Sequence, residues 1–136
     1  MKTTLPQEIQ KIKTVLEDMR QKGIVLLAYL YGSYAGGNQH GRSDIDIAVY
    51  FNTKTEDESI EAIDRLLMAV DRDVEILQLN DHDESPFVMQ EALKGIPLVE
   101  PDEETLYRLY DYVLHETESI RFKRGFKGSP SHKAQK

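Results

Sequence analysis

Residues 24–51 decide the fold, and they read IVLLAYLY (24–31), GSYAGGNQHGR (32–42) and SDIDIAVYF (43–51). The first segment is an unbroken apolar run, which predicts a strand buried on both faces. Gly32 then permits a tight turn. The third segment alternates between apolar and other side chains, which predicts a second strand. The alternation places Asp44 and Asp46 side by side on one face of that strand.

Two neighbouring carboxylates repel each other unless a cation lies between them. Mg²⁺ prefers oxygen ligands and is commonly held by carboxylates together with substrate phosphates. An Asp pair on the solvated face of a half-buried strand is the alternative reading. The preceding Gly32-Ser33 turn favours a metal and phosphate site over a solvated strand face, because backbone N–H groups and a hydroxyl at a turn can hold phosphate oxygens.

The segment YLYGSYAGGNQHGRSDIDIAVYF (29–51) resembles the signature of the polymerase-beta-like nucleotidyltransferases. Within them it is most similar to the minimal nucleotidyltransferase (MNT) antitoxins that are paired with HEPN toxins, and the resemblance extends over residues of about 5 to 115. It implies an α/β fold with a small mixed sheet flanked by helices. It also implies that Gly32 and Ser33 bind the nucleotide, whereas Asp44 and Asp46 are catalytic metal ligands. One departure is Gly36, which stands where many relatives carry Arg.

The resemblance further implies a third carboxylate on the next strand, predicted over residues 73–79. Glu75 matches that position, so we expect it to be a metal ligand and a catalytic residue. Its place between Val74 and Ile76 in a strand expected to be buried also argues that it needs a partner such as a metal ion. Asp73 is either a spare ligand or a turn residue at the start of the strand.

The predicted activity is Mg²⁺-dependent nucleotidyl transfer with ATP as substrate. By resemblance, the acceptor is a protein hydroxyl, namely a tyrosine of a HEPN-type RNase toxin, and the chain acts as its antitoxin. Two alternatives stay open: a non-catalytic antitoxin that occludes its toxin, and a small-molecule nucleotidyltransferase whose acceptor pocket forms between subunits. A homo-oligomer and a hetero-oligomer with the toxin are both compatible with the sequence.

Composition predicts a single domain of 136 residues. The chain has no Cys, no apolar stretch of membrane-spanning length and no signal-peptide pattern, so we expect a cytoplasmic protein that does not bind membranes. The last 16 residues carry six basic side chains and no acid, which leaves 11 basic against 24 acidic side chains in the first 120. Such an acidic body makes nucleic acid an unlikely partner. We divide the chain into a minimal nucleotidyltransferase domain (1–124) and a basic, disordered tail (125–136).

The remaining elements are predicted from helical periodicity and turn residues. Helices are expected over 6–22, over 55–70 after a capping box, from Ser85-Pro86 to Gly95, and from Asp102 to about Phe122. Pro97 confines a short strand at 96–99 to a sheet edge. The expected inward stripes are Ile9, Ile12, Leu16 and Met19 on the first helix; Ile60, Ile63, Leu67 and Val70 on the second; Leu106, Leu109, Tyr110, Val113 and Leu114 on the last. The tyrosines of the last helix are equally compatible with a place in the core and with a place on a contact surface. The four histidines are expected at the surface.

Overall fold

The computed structural model describes residues 7–32 and 45–128, with the side chains of the last helix described through residue 120. The elements, in chain order, are α1 (Gln7–Gln21), β1 (Val25–Tyr31), β2 (Ile45–Phe51), α2 (Glu56–Leu67), β3 (Val74–Gln78), α3 (Pro86–Ala92), β4 (Ile96–Pro97) and α4 (Glu103–Gly128). This order confirms the predicted α/β class and the predicted helices and strands, with shifts of a few residues at their ends.

The four strands form one mixed sheet in the order β3-β2-β1-β4. β1 pairs antiparallel with both β2 and β4, whereas β2 pairs parallel with β3. β4 lies at the edge, as Pro97 predicted, because proline has no backbone N–H to donate to a neighbouring strand. β3 is the opposite edge strand.

Each face of the sheet is covered by two helices. On one face, α1 and α2 pack against Ile45, Ile47, Val49 and Phe51 of β2. On the other face, α3 and α4 pack against Ala48, together with Leu27 and Tyr29 of β1. The predicted alternation of β2 is therefore confirmed for its described residues, and the core is divided between the two faces.

Helix α1 buries Ile9, Ile12, Leu16 and Met19, as its periodicity predicted. Helix α2 begins with the predicted cap, in which the Thr55 side chain accepts a hydrogen bond from the Glu58 N–H. Its predicted inward stripe is wrong at two positions, because Ile60 and Leu67 are exposed while Ala62 and Leu66 are buried. Both sets have helical spacing, so the sequence alone left the rotation of α2 about its axis ambiguous.

Helix α4 is capped by Asp102, whose carboxylate accepts hydrogen bonds from the backbone N–H and the hydroxyl of Thr105. These contacts hold the pKa of Asp102 below its ordinary value. The predicted inward stripe holds at Leu109 and Val113 but is wrong at Tyr110 and Leu114, which are exposed.

Helix α4 continues to Gly128, past the predicted end near Phe122. Residues 125–128, the first of the predicted tail, therefore belong to this helix, whereas residues 129–136 lie outside the described residues. Across the described ranges, no helix combines the length and the apolar character needed to cross a membrane.

Candidate active site

The turn that follows β1 lies directly against the carboxylate of Asp46. Gly32 has a φ of +77°, a conformation that side-chain-bearing residues rarely adopt. A Cβ added at Gly32 would lie only 2.5 Å from Asp46 Oδ2. Glycine is therefore required here for two reasons, the backbone conformation and the close approach of the carboxylate. The glycine turn and an aspartate of β2 therefore meet at one place.

Three side chains form a row across the sheet at the same place. Tyr31 of β1 pairs with Asp46 of β2, and Asp46 pairs with Glu75 of β3. Asp46 has the same parity as Ala48, and Glu75 the same parity as Leu77, both of which pack under α3 and α4. Residues at paired positions share a face of the sheet, so the two carboxylates are neighbours on that face.

The expectation that Glu75 lies in a buried strand is wrong. Its side chain is exposed, and Val74 and Ile76 are only half-buried. The physical reason is that β3 is an edge strand, so Glu75 has a neighbouring strand on one side only. Burial therefore does not force Glu75 to find a partner, and its candidacy depends on its place beside Asp46.

Asp73 also lies near the site but outside the strand. Its backbone oxygen accepts a hydrogen bond from the Ile45 N–H at 2.9 Å, which extends the pairing between β2 and β3 by one residue. Its side chain is exposed. The observed contact is made by the backbone, which agrees with a structural position at the start of β3.

Sequence reasoning missed Tyr31 as part of the site. Burial raises the pKa of the Tyr31 hydroxyl, and the negative charges of Asp46, Glu75 and Glu84 raise that pKa further. The phenol therefore stays protonated and neutral beside the carboxylates. The signal was available in the sequence, since Tyr31 immediately precedes Gly32 and has the strand parity that points it to the face of Asp46. Glu84, on the loop before α3, could not have been found from strand parity.

Ser33 and Asp44, the other predicted site residues, lie outside the described residues, as do Gly36 and His40. Within the described ranges, no three His, Asp or Glu side chains are grouped closely enough to hold a metal ion. Asp46 and Glu75 provide the hard oxygen donors that Mg²⁺ prefers. Their chemistry fits a magnesium site, and a set of three carboxylates would need Asp44.

The described histidines have other surroundings. His82 stacks on Tyr112 with ring centroids 5.0 Å apart, which joins the loop after β3 to α4. His115 lies 3.6 Å from the carboxylate of Asp111 on the exposed surface of α4. Both side chains are exposed, as predicted for these two histidines.

A concave pocket between α1 and α2 shares no residue with the row of Tyr31, Asp46 and Glu75. Its lining includes Met19, Gly23, Asn52 and Arg65, from the end of the sheet where β1 begins and β2 ends. The carboxylates lie at the opposite end of these two strands. The pocket is therefore separate from the candidate active site.

The family model for polymerase beta nucleotidyltransferases matches residues 10–104, which include every described candidate residue. A curated relative, the protein adenylyltransferase MntA of Shewanella oneidensis, is 41% identical over 70 residues. That alignment covers 51% of this chain and 49% of the relative, so the chain spans about half the length of the curated relative it matches.

Solved structures of toxin-antitoxin complexes have a similar fold. A structure of a mutant toxin-antitoxin complex containing MntA, in which two aspartates two positions apart are changed to glutamate, superimposes with a TM-score of 0.65 at 26% identity, covering 86% of this chain and 92% of the other. A toxin-antitoxin structure with AMP-PNP gives a TM-score of 0.64 at 24% identity, covering 83% and 92%. The resemblance to MNT antitoxins is thus confirmed. The chain belongs to the polymerase beta nucleotidyltransferase family.

Proposed function

We propose that this protein transfers AMP from ATP to a hydroxyl group of a HEPN-type toxin, and so acts as its antitoxin. The observation that carries the proposal is the contact between the Gly32 turn and Asp46, with Glu75 beside it, in a chain of this family. The curated relative is named a protein adenylyltransferase. A structural neighbour is described as a tri-AMPylated HEPN toxin of Shewanella oneidensis in complex with an MNT antitoxin.

In the proposed reaction, a tyrosine hydroxyl of the toxin attacks the α-phosphorus of ATP. A bond forms between the acceptor oxygen and that phosphorus, the bond from phosphorus to the bridging oxygen breaks, and pyrophosphate leaves. Positioning and electrostatic stabilisation account for most of the rate in such reactions. The backbone of the Gly32 turn, together with Ser33, would hold phosphate oxygens. Glu75, which is exposed beside Asp46, would complete the metal site or accept the proton of the incoming hydroxyl.

Asp46, Asp44 and Glu75 are the residues that would hold Mg²⁺. When bound, Mg²⁺ supplies charge stabilisation at the phosphate oxygens, worth several kcal/mol in comparable sites. Without it, the carboxylates would repel the triphosphate. We therefore expect EDTA to abolish AMP transfer.

The test first searches the neighbouring reading frames for a HEPN-type protein, and then follows the mass gain of that purified protein over time with MgATP present. Asp46→Asn and Glu75→Gln should each slow the mass gain at least about 100-fold, since several kcal/mol of transition-state stabilisation would be lost. Asp64→Asn is the matched control, because Asp64 is an exposed acid on α2 and belongs to the opposite face of the sheet. Transfer by Asp46→Asn at the rate of that control would contradict the assignment of the site.

A second experiment separates transfer from occlusion. Toxin that was co-expressed with this protein and purified from it under denaturing conditions should stay inactive after refolding, because a covalent AMP outlasts the complex. Recovery of toxin activity, with no added mass, would instead support an antitoxin that only occludes its toxin.

A further inference from the structure

Helix α4 presents an apolar stripe on its outer side. Tyr107, Tyr110 and Leu114 follow one another at spacings of three and four residues, so they lie along one line of the helix. Their exposed fractions are 80%, 48% and 51%. The buried side of the same helix is formed by Leu109 and Val113. The exposed stripe is therefore additional to the face that α4 needs for folding.

Acidic residues border this stripe. Glu103 and Glu104 line one groove with Tyr107 and Tyr110, and Asp111 lines a neighbouring groove. The basic residues of the same region are ion-paired, Arg108 with Glu104 and Lys94 with Glu91. A complementary partner would present an apolar centre with Lys and Arg around it. A second copy that docked through the same stripe would bring the same acidic border, so charge disfavours self-association through this stripe.

The stripe lies on the helix that covers the face of the sheet with the candidate active site. Leu109 and Val113, on the buried side of α4, belong to the same buried cluster as Tyr29 of β1. Tyr29 and Tyr31 are on the same face of β1, and same-face residues of a strand are about 7 Å apart. Tyr31 in turn pairs with Asp46. A protein bound to the stripe would thus lie on the same face of the sheet as the carboxylates.

We infer that Tyr107, Tyr110 and Leu114 form the surface on which the acceptor protein docks, with its own basic border facing Glu103 and Asp111. This inference rests on the proposed function, because it identifies the partner with the protein that receives AMP. It assigns binding of the acceptor to α4 and leaves the chemistry with Asp46 and Glu75. Tyr is a frequent contributor to binding energy at such surfaces.

The test measures the affinity of the HEPN-type protein for this chain by calorimetry without nucleotide. The docking variant is Tyr107→Ser/Leu114→Ser, and it should weaken binding by about tenfold or more. The matched control is Ile60→Ser/Met68→Ser, since these residues are comparably exposed, at 52% and 84%, but lie on α2 and at its C-terminal cap, on the other face of the sheet. Circular dichroism melts check that both variants fold, and MgATP titration should give the wild-type affinity for both.

The outcomes distinguish the docking surface from the transfer reaction. Binding of the docking variant as tight as that of the control would overturn the docking surface while the transfer assay stands. Weakened binding of the docking variant alone, with no AMP transfer by wild type, would support the surface and reject the reaction. No binding by wild type would overturn both. An association rate that falls as salt rises supports the basic border of the partner, and a salt-independent rate contradicts it.

Discussion

Replacing Gly32 by Ala should distinguish the effect of backbone strain on stability from the effect of the Asp46 position on activity. Gly23→Ala is the matched comparison. The two glycines have nearly identical φ values, +77° and +78°, so Ala costs about 1 kcal/mol of backbone strain at either position. Their surroundings differ, since a Cβ at Gly23 meets nothing within 4 Å. A Cβ at Gly32 would lie 2.5 Å from Asp46 Oδ2, whereas ordinary contacts begin near 3.4 Å. The carboxylate must therefore move by about 0.9 Å, the difference between these two distances.

We expect Gly23→Ala to lower Tm by roughly 4 °C, and Gly32→Ala to lower it at least as much, because Asp46 must also shift. The activities should differ strongly. A misplacement of about 1 Å at a reacting centre can cost about 100-fold in rate, which corresponds to about 2.7 kcal/mol. The assay is the rate of AMP transfer, with Tm from a thermal melt. Transfer rates of the two variants within about threefold of each other would refute the reasoning that Asp46 acts at the Gly32 turn.

Three further predictions concern stability. Leu66→Ala should destabilise the protein by about 2–5 kcal/mol in urea unfolding, because Leu66 is fully buried. Leu67→Ala should cost only about 0.5 kcal/mol, because Leu67 is exposed. Equal losses would contradict the observed rotation of α2. Burial raises the pKa of Tyr29 above its ordinary value of 10.0. The Tyr29 hydroxyl therefore ionises at a lower pH in the unfolded chain than in the folded one, so stability falls as pH rises above about 10. Tyr29→Phe should reduce that fall, as measured by thermal melts between about pH 9 and about pH 11. Asp102 has a lowered pKa, so the stability that its cap gives α4 is present above about pH 4 and is lost as pH falls through the lowered pKa. At about pH 7, Asp102→Ala should lower Tm, and Asp102→Asn should lower it less because Asn can also cap a helix. Equal Tm values for wild type and Asp102→Ala would contradict the cap.

The arrangement of the site combines local and long-range requirements. Gly32 and Asp46 are 14 positions apart in the chain, yet the antiparallel pairing of β1 with β2 brings them into contact. Glu75 reaches the same place through the parallel pairing of β3. Three segments distant in sequence therefore contribute to one end of the sheet.

The sequence by itself determined the strands, the faces of β2 and the position of Pro97 at an edge. These features follow from local rules, since side chains alternate along a strand and proline lacks a donor. The polarity pattern was also sufficient to nominate Asp46, because alternation says which residues share a face, whereas Glu75 was nominated by the resemblance to a known family. In each case the deciding information lies within a few residues of the position concerned.

The tertiary structure alone decided which residues are covered. The exposure of Glu75 depends on β3 being an edge strand, and the exposure of Tyr110 and Leu114 depends on which side of α4 meets the sheet. Likewise, the burial of Leu66 in place of Leu67 depends on the rotation of α2. Each of these helices is apolar over a wider arc than its neighbours can cover, so periodicity left more than one arrangement open. Packing between elements far apart in the chain selected one of them.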